Sequence, residues 1–130
     1  MTPIRMEKVE AGMRAVLAFN DAFNWHDVGA MMALISGDCV FEDASSPPVG
    51  AIHTGKGAIT GYWQDFFTKS PNTRIDVEEV FGICNRCVRR WRCLRFDATG
   101  LEAQRRGVDV YQISDGLISE ISSCGLGSNL

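Results

Sequence analysis

At 130 residues, with 45% hydrophobic and 22% charged side chains, the chain has the composition of one globular domain with a full core, not of a disordered segment. A formal net charge of −3 gives no general attraction to nucleic acid, and no run reaches the ~18 consecutive apolar residues of a membrane span. The opening MTPIRMEKVEAG lacks the apolar stretch of a signal peptide, and the five cysteines are odd in number and lie mostly in apolar runs; reduced thiols in a cytoplasmic protein are expected.

Between residues 5 and 24, Val9, Met13, Val16, Leu17 and Phe23 recur at helical spacing and predict one long amphipathic helix. NWHD interrupts it, VGAMMALI (28–35) reads as a short second helix, and 39–43 as a short strand after the Gly37-Asp38 turn. A Pro/Gly/Ser-rich loop follows. In GAITGYWQDFFTK (57–69), Ile59, Tyr62, Trp63, Phe66 and Phe67 share one face of a third helix. After Pro71 the pattern turns to strands at 73–84, 86–97, 103–114 and 117–123, with Asp115-Gly116 as a hairpin turn. Residues 1–130 therefore form a single α+β domain, with three helices packed on one face of a curved antiparallel sheet.

Several local motifs lead nowhere. GKGAITG (55–61) misses the dinucleotide fingerprint by one residue and follows a Pro-rich loop instead of a buried strand. CNRC (84–87) is a lone CxxC with only His26 and His53 elsewhere, so no metal site is expected. Residues 86–106 hold Arg86, Arg89, Arg90, Arg92, Arg95, Arg105 and Arg106 against only Asp97 and Glu102, a local basic excess in an acidic chain.

Two acids carry more information. Period-2 alternation places Asp43 with Cys39 and Phe41, opposite Glu42, and groups Asp109 with Tyr111 and Ile113. A carboxyl in such apolar company is costly when ionised unless it is paired. From spacing alone two readings stand. Asp43 and Asp109 do chemistry in a pocket, or Asp43 caps its strand while Asp109 pairs with an arginine on a neighbouring strand.

VFEDASSPP…GKGAITGYWQDFF and GVDVYQISDGLISEI resemble the SnoaL-like polyketide cyclases and ketosteroid isomerases of the nuclear-transport-factor superfamily, over nearly the whole chain. The resemblance implies a cone-shaped, cystatin-like fold with a pocket and a homodimer formed through the sheet. In the isomerases, the base that moves a proton beside a carbonyl matches Asp43, and the protonated aspartate at the enolate oxygen matches Asp109. Their key tyrosine falls at Phe19, which cannot donate a hydrogen bond. Losing one oxyanion donor costs ~10²–10³ in rate, which argues against efficient steroid isomerisation. The related limonene-epoxide hydrolases use an arginine flanked by two aspartates, and the last-strand member of that set falls near Ser122 or Ser123.

The reading is a protein that binds a small hydrophobic carbonyl compound, polyketide- or steroid-like, and isomerises or cyclises it by acid–base catalysis without a cofactor or a metal. Asp43 shuttles the proton, and Asp109 is a neutral donor or an electrostatic partner. Phe19, Phe41, Tyr62, Trp63, Phe66, Phe96 and Tyr111 line the cavity. The rival is a non-catalytic binding or dimeric assembly module with the same pocket; nucleic acid and membrane are not expected partners. Three placements test this scheme. Asp43 should point inward and Glu42 outward, the Pro47-Pro48 loop should roof the pocket, and Arg92, in phase with Leu94 and Phe96, should reach inward to Asp109 or to a ligand carboxylate. Otherwise the arginines form ion pairs across a dimer interface on the outer face.

Overall fold

The computed structural model describes residues 3–43 and 50–126, with the side chains of 9–43 and 50–125. The Pro47-Pro48 segment expected to roof the pocket lies outside the described residues. Helix α1 (Pro3–Asn24) buries Val16, Phe19 and Phe23, whereas Leu17, counted with Val16 and Phe23 in the sequence pattern, is exposed. It ends at His26, whose φ of 55° breaks the helical course. Asp27 then caps α2 (Val28–Met32), its Oδ1 accepting from the Ala30 amide at 3.0 Å.

The second helix is shorter than its sequence predicts, and β1 (Ile35–Asp43) starts earlier. The reason is a competing partner. Leu34 accepts a hydrogen bond from the Ile118 amide, and Ile35 pairs with Ile118, both fully buried. A four-residue strand, β2 (Ala51–Thr54), runs back along β1 where the sequence reads as loop. Its mixed residues show no clear alternation of their own, and His53 is placed by stacking on Phe41, directly opposite. Helix α3 (Lys56–Lys69) follows, carrying the expected aromatic face.

The remaining strands are β3 (Thr73–Ile83), β4 (Arg86–Asp97), β5 (Gly100–Ser114) and β6 (Leu117–Leu126). They form the expected antiparallel meander. The sheet order is β2-β1-β6-β5-β4-β3, so β6 returns to lie beside β1, and that one pairing is parallel. Strand β3 is thus an edge, and α1 covers it. Asn24 accepts from the Ile75 amide at 2.7 Å and donates to its carbonyl at 2.9 Å, and Asn20 donates to the same carbonyl at 3.0 Å. Edge groups that would otherwise need water are tied to the helix. This fixes α1 across the sheet, and α3 closes the other side against β1 and β2.

The thiols divide accordingly. Burial pushes Cys39 and Cys93 up to about 11 and raises Cys87, whereas Cys84 and Cys124 are exposed. At pH 8 a thiol titrating near 11 is roughly one-thousandth thiolate, and only thiolate reacts. Iodoacetamide on the native protein is expected to label Cys84 and Cys124 rapidly, as read by peptide mass spectrometry. Equal labelling of Cys39 would show that the core opens on that timescale.

Candidate active site

A cavity of about 130 Å³ lies between α1, α3 and the inner face of the sheet. Of the residues expected there, Phe19, Phe41, Asp43, Tyr62, Trp63, Phe66, Asp109 and Tyr111 do line it. The sequence pattern explains most of the wall. The i, i+4 spacing on α3 aims Tyr62 and Phe66 the same way, and Trp63 stacks on Phe41 with centroids 5.6 Å apart. Phe23 of α1 meets Trp63 edge-on at 5.6 Å. Phe19 packs against the ring of Tyr111, so it supplies apolar wall at the place of a donor.

Asp43 ends β1 on the inner face and is 7% exposed, with Phe41 beside it. Tyr62 Oη donates to Asp43 Oδ2 at 3.3 Å. Burial, and then the Asp43 charge, raises the Tyr62 phenol well above its ordinary range, while Arg105 pulls it the other way. Tyr62 is therefore a neutral hydroxyl donor at physiological pH. Glu42 faces away from Asp43, as alternation requires, and its carboxylate lies near Gly50.

Asp109 sits in a closed network. Arg89 Nη2 donates to its Oδ2 at 2.7 Å, and Tyr111 Oη to the same oxygen at 2.9 Å. Trp91 Nε1 and Ser123 Oγ donate to Oδ1, each at 2.7 Å. Arg89 also donates to Asn20 Oδ1, and both Arg89 and Asp109 are 5% exposed. Tyr111 is held neutral by burial, so it too donates. With four donors on its two oxygens, one of them a buried guanidinium, Asp109 is an anion with its acceptor positions filled. Of the two roles expected for it, neutral donor or electrostatic partner, this arrangement favours the second. The second reading of the spacing, an arginine partner on the neighbouring strand, is the one found.

That arginine is Arg89, not Arg92. Arg89, Trp91 and Cys93 line the cavity, while Arg92 is exposed on the opposite face. Phe96 also falls outside the cavity, with the Arg74 guanidinium 5.5 Å from its ring centroid. A bulge is the cause. Phe96 pairs with Leu101 but Arg95 pairs with Ala103, so Glu102 is an extra residue in β5. Directly opposite residues share a face, and beyond this bulge Asp109 stands opposite Arg89. Without it Asp109 would face residue 88, and the even-numbered side chains, Arg92 among them, would turn inward. Ser123, which the sequence offered only with Ser122 as the neighbourhood of a missing aspartate, buttresses Asp109.

Two buried N–H groups of cavity-lining residues, Trp63 Nε1 and Arg89 Nε, have no hydrogen-bond partner among the described residues. Nothing in the sequence pattern singled out Arg105, which also lines the cavity.

Fold and cavity together define a cone-shaped, cystatin-like α+β domain of the nuclear-transport-factor type. The chain belongs to the SnoaL-like domain family, whose model matches residues 16–121. It is 35% identical to an NTF2-like protein of unknown function from Mesorhizobium loti, covering 92% of this chain and 94% of that one, with a TM-score of 0.77. A candidate ketosteroid isomerase from Kribbella flavida superposes with a TM-score of 0.77 at 16% identity, over 94% of this chain and 82% of that one. A candidate polyketide cyclase from Xanthomonas campestris gives 0.70 at 17%, over 90% and 91%. The last two likenesses are of fold. No curated protein matches the chain.

Proposed function

We propose that the protein is an acid–base enzyme that moves a proton at the carbon beside the carbonyl of a small cyclic compound, as an isomerase or cyclase. The observation that carries this is Asp43, a carboxylate in an aromatic cavity with a tyrosine hydroxyl on one oxygen. Asp43 takes the proton, and Tyr62, kept neutral, fixes the carboxylate's orientation. Asp109 supports the wall through Arg89 and Trp91 and is a positioning residue. A cavity of about 130 Å³ supports a substrate of one ring in place of a four-ring steroid, since a dry cavity of ~150 Å³ holds benzene. The proposal includes a cytoplasmic homodimer. Phe81, Val88 and Val110, directly opposite one another on three neighbouring strands, make an apolar stripe on the outer face that favours it.

The test is hydrogen–deuterium exchange beside the carbonyl of a panel of cyclohexanones and cyclohexenones, followed by NMR. Asp43→Asn is expected to lower exchange by ~10² or more, the usual range of a general base, with an unchanged circular dichroism spectrum. Equal exchange in wild type and variant removes Asp43 from the mechanism. A wild type that binds these ketones without exchanging any leaves the rival reading, a binding module.

A further inference from the structure

We infer that the ligand of this cavity is a one-ring carboxylic acid, whose ring enters the aromatic chamber while its carboxylate pairs with Arg105 at the mouth. The inference deepens the proposed function by naming its substrate class, and it rests on that reading only for which compound is turned over.

The first support is charge accounting. Every arginine from Arg74 to Arg106 except Arg92 and Arg105 has a carboxylate within 4.0 Å. Arg92 lies in solvent on the outer face. Arg105 is half-buried on the inner face and makes no ion pair or side-chain hydrogen bond among the described residues. A cation held in a half-buried wall, in a cavity whose other guanidinium is already neutralised by Asp109, is a standing site for an anion.

The second support is where it stands. A shallow groove of about 430 Å³ adjoins the cavity, and Phe66, Cys93 and Arg105 line both. Arg105 therefore marks the passage from groove to chamber. Arg95, on the groove side, is already paired with Glu102. The charge of Arg105 is felt within the chamber, where it favours the ionised forms of Tyr62 and Cys93.

The third is that the fold makes room for it. The guanidinium sits against Gly125 of β6, where a Cβ would come 2.6 Å from Nε and 2.8 Å from Cζ. A Cβ at 125 would push the guanidinium aside. The planar fork of donors then matches a planar carboxylate, and the chamber beyond, walled by Phe23, Phe41, Trp63 and Phe66, takes a ring.

Isothermal titration with benzoate and its neutral isostere benzamide tests this. Benzoate is expected to bind about tenfold or more tightly than benzamide, the usual worth of a charge-assisted pair. Arg105→Leu should remove that preference and leave the benzamide affinity in place. Gly125→Ala keeps the charge but displaces it, and should weaken benzoate by a similar factor. Equal affinities in the wild type, benzoate binding unchanged in both variants, or no saturable binding of benzoate at all would overturn the inference. The exchange experiment with Asp43→Asn succeeds or fails independently of these affinities, so the two readings fall separately.

Discussion

Replacing Asp109 by alanine is expected to destabilise the protein by about 3–5 kcal/mol, the usual cost of leaving a buried charge without its partner. The loss goes beyond one ion pair. Arg89, 5% exposed, would keep only its bond to Asn20, and the Trp91 indole, Tyr111 hydroxyl and Ser123 hydroxyl would all lose their acceptor. Against a total stability of typically about 5–15 kcal/mol, this is a large share of what holds the fold. Urea denaturation followed by tryptophan fluorescence measures it. The double variant Asp109→Leu/Arg89→Met should recover only the part due to the stranded guanidinium, because Trp91, Tyr111 and Ser123 still lack their acceptor. A single-variant loss below about 1 kcal/mol would mean that Arg89 swings to water, and that the network is not the support of the cavity wall.

The second large effect is expected at Gly107. It stands directly opposite Trp91 on the inner face, and a Cβ there would come 2.6 Å from the indole Cε2. The obstacle is a rigid, buried ring, not the end of a flexible side chain. Gly107→Ala must therefore move Trp91, at about 1–3 kcal/mol for overpacking, and break its hydrogen bond to Asp109, about 1.5–3 kcal/mol more. In a double-mutant cycle, Trp91→Leu should cost much less in the Gly107→Ala background than alone. Strict additivity would show that the alanine is accommodated by the strand and not by the indole.

These effects centre on a network that the sequence revealed in half. Period-2 alternation sufficed to turn Asp43 and Asp109 inward, because each shares its face with large apolar neighbours. Helical spacing likewise found the aromatic face of α3. The partner of Asp109 was legible as a kind of residue, a buried arginine, but not as a position. Arg89 with Trp91, and Arg92 with Leu94 and Phe96, are equally good inward sets on a pattern alone. One extra residue, Glu102, decides between them, and bulges of this kind carry no signal in composition. β2 was missed for a related reason, since four mixed residues gain their strand geometry from β1 and not from themselves. Arg105 was invisible because its meaning is a missing partner, which only the packed structure displays.

The parallel pairing of β6 with β1 has a consequence for the order in which the molecule assembles. Until residues 117–126 have been made, β1 and β2 on one side and β3 to β5 on the other have no common strand. The last strand is the seam that joins them, pairing Ile118 with Ile35 and Ser123 with Asp43 across about 80 positions of chain. The sheet that carries both Asp43 and Asp109 is thus continuous only after β6 has docked, and β1 keeps an open edge while the residues between it and β6 are made. Such long-range closure is slow, and an unpaired edge is a template for other chains. The arrangement that brings the two acids together makes the newly made domain dependent on completing β6.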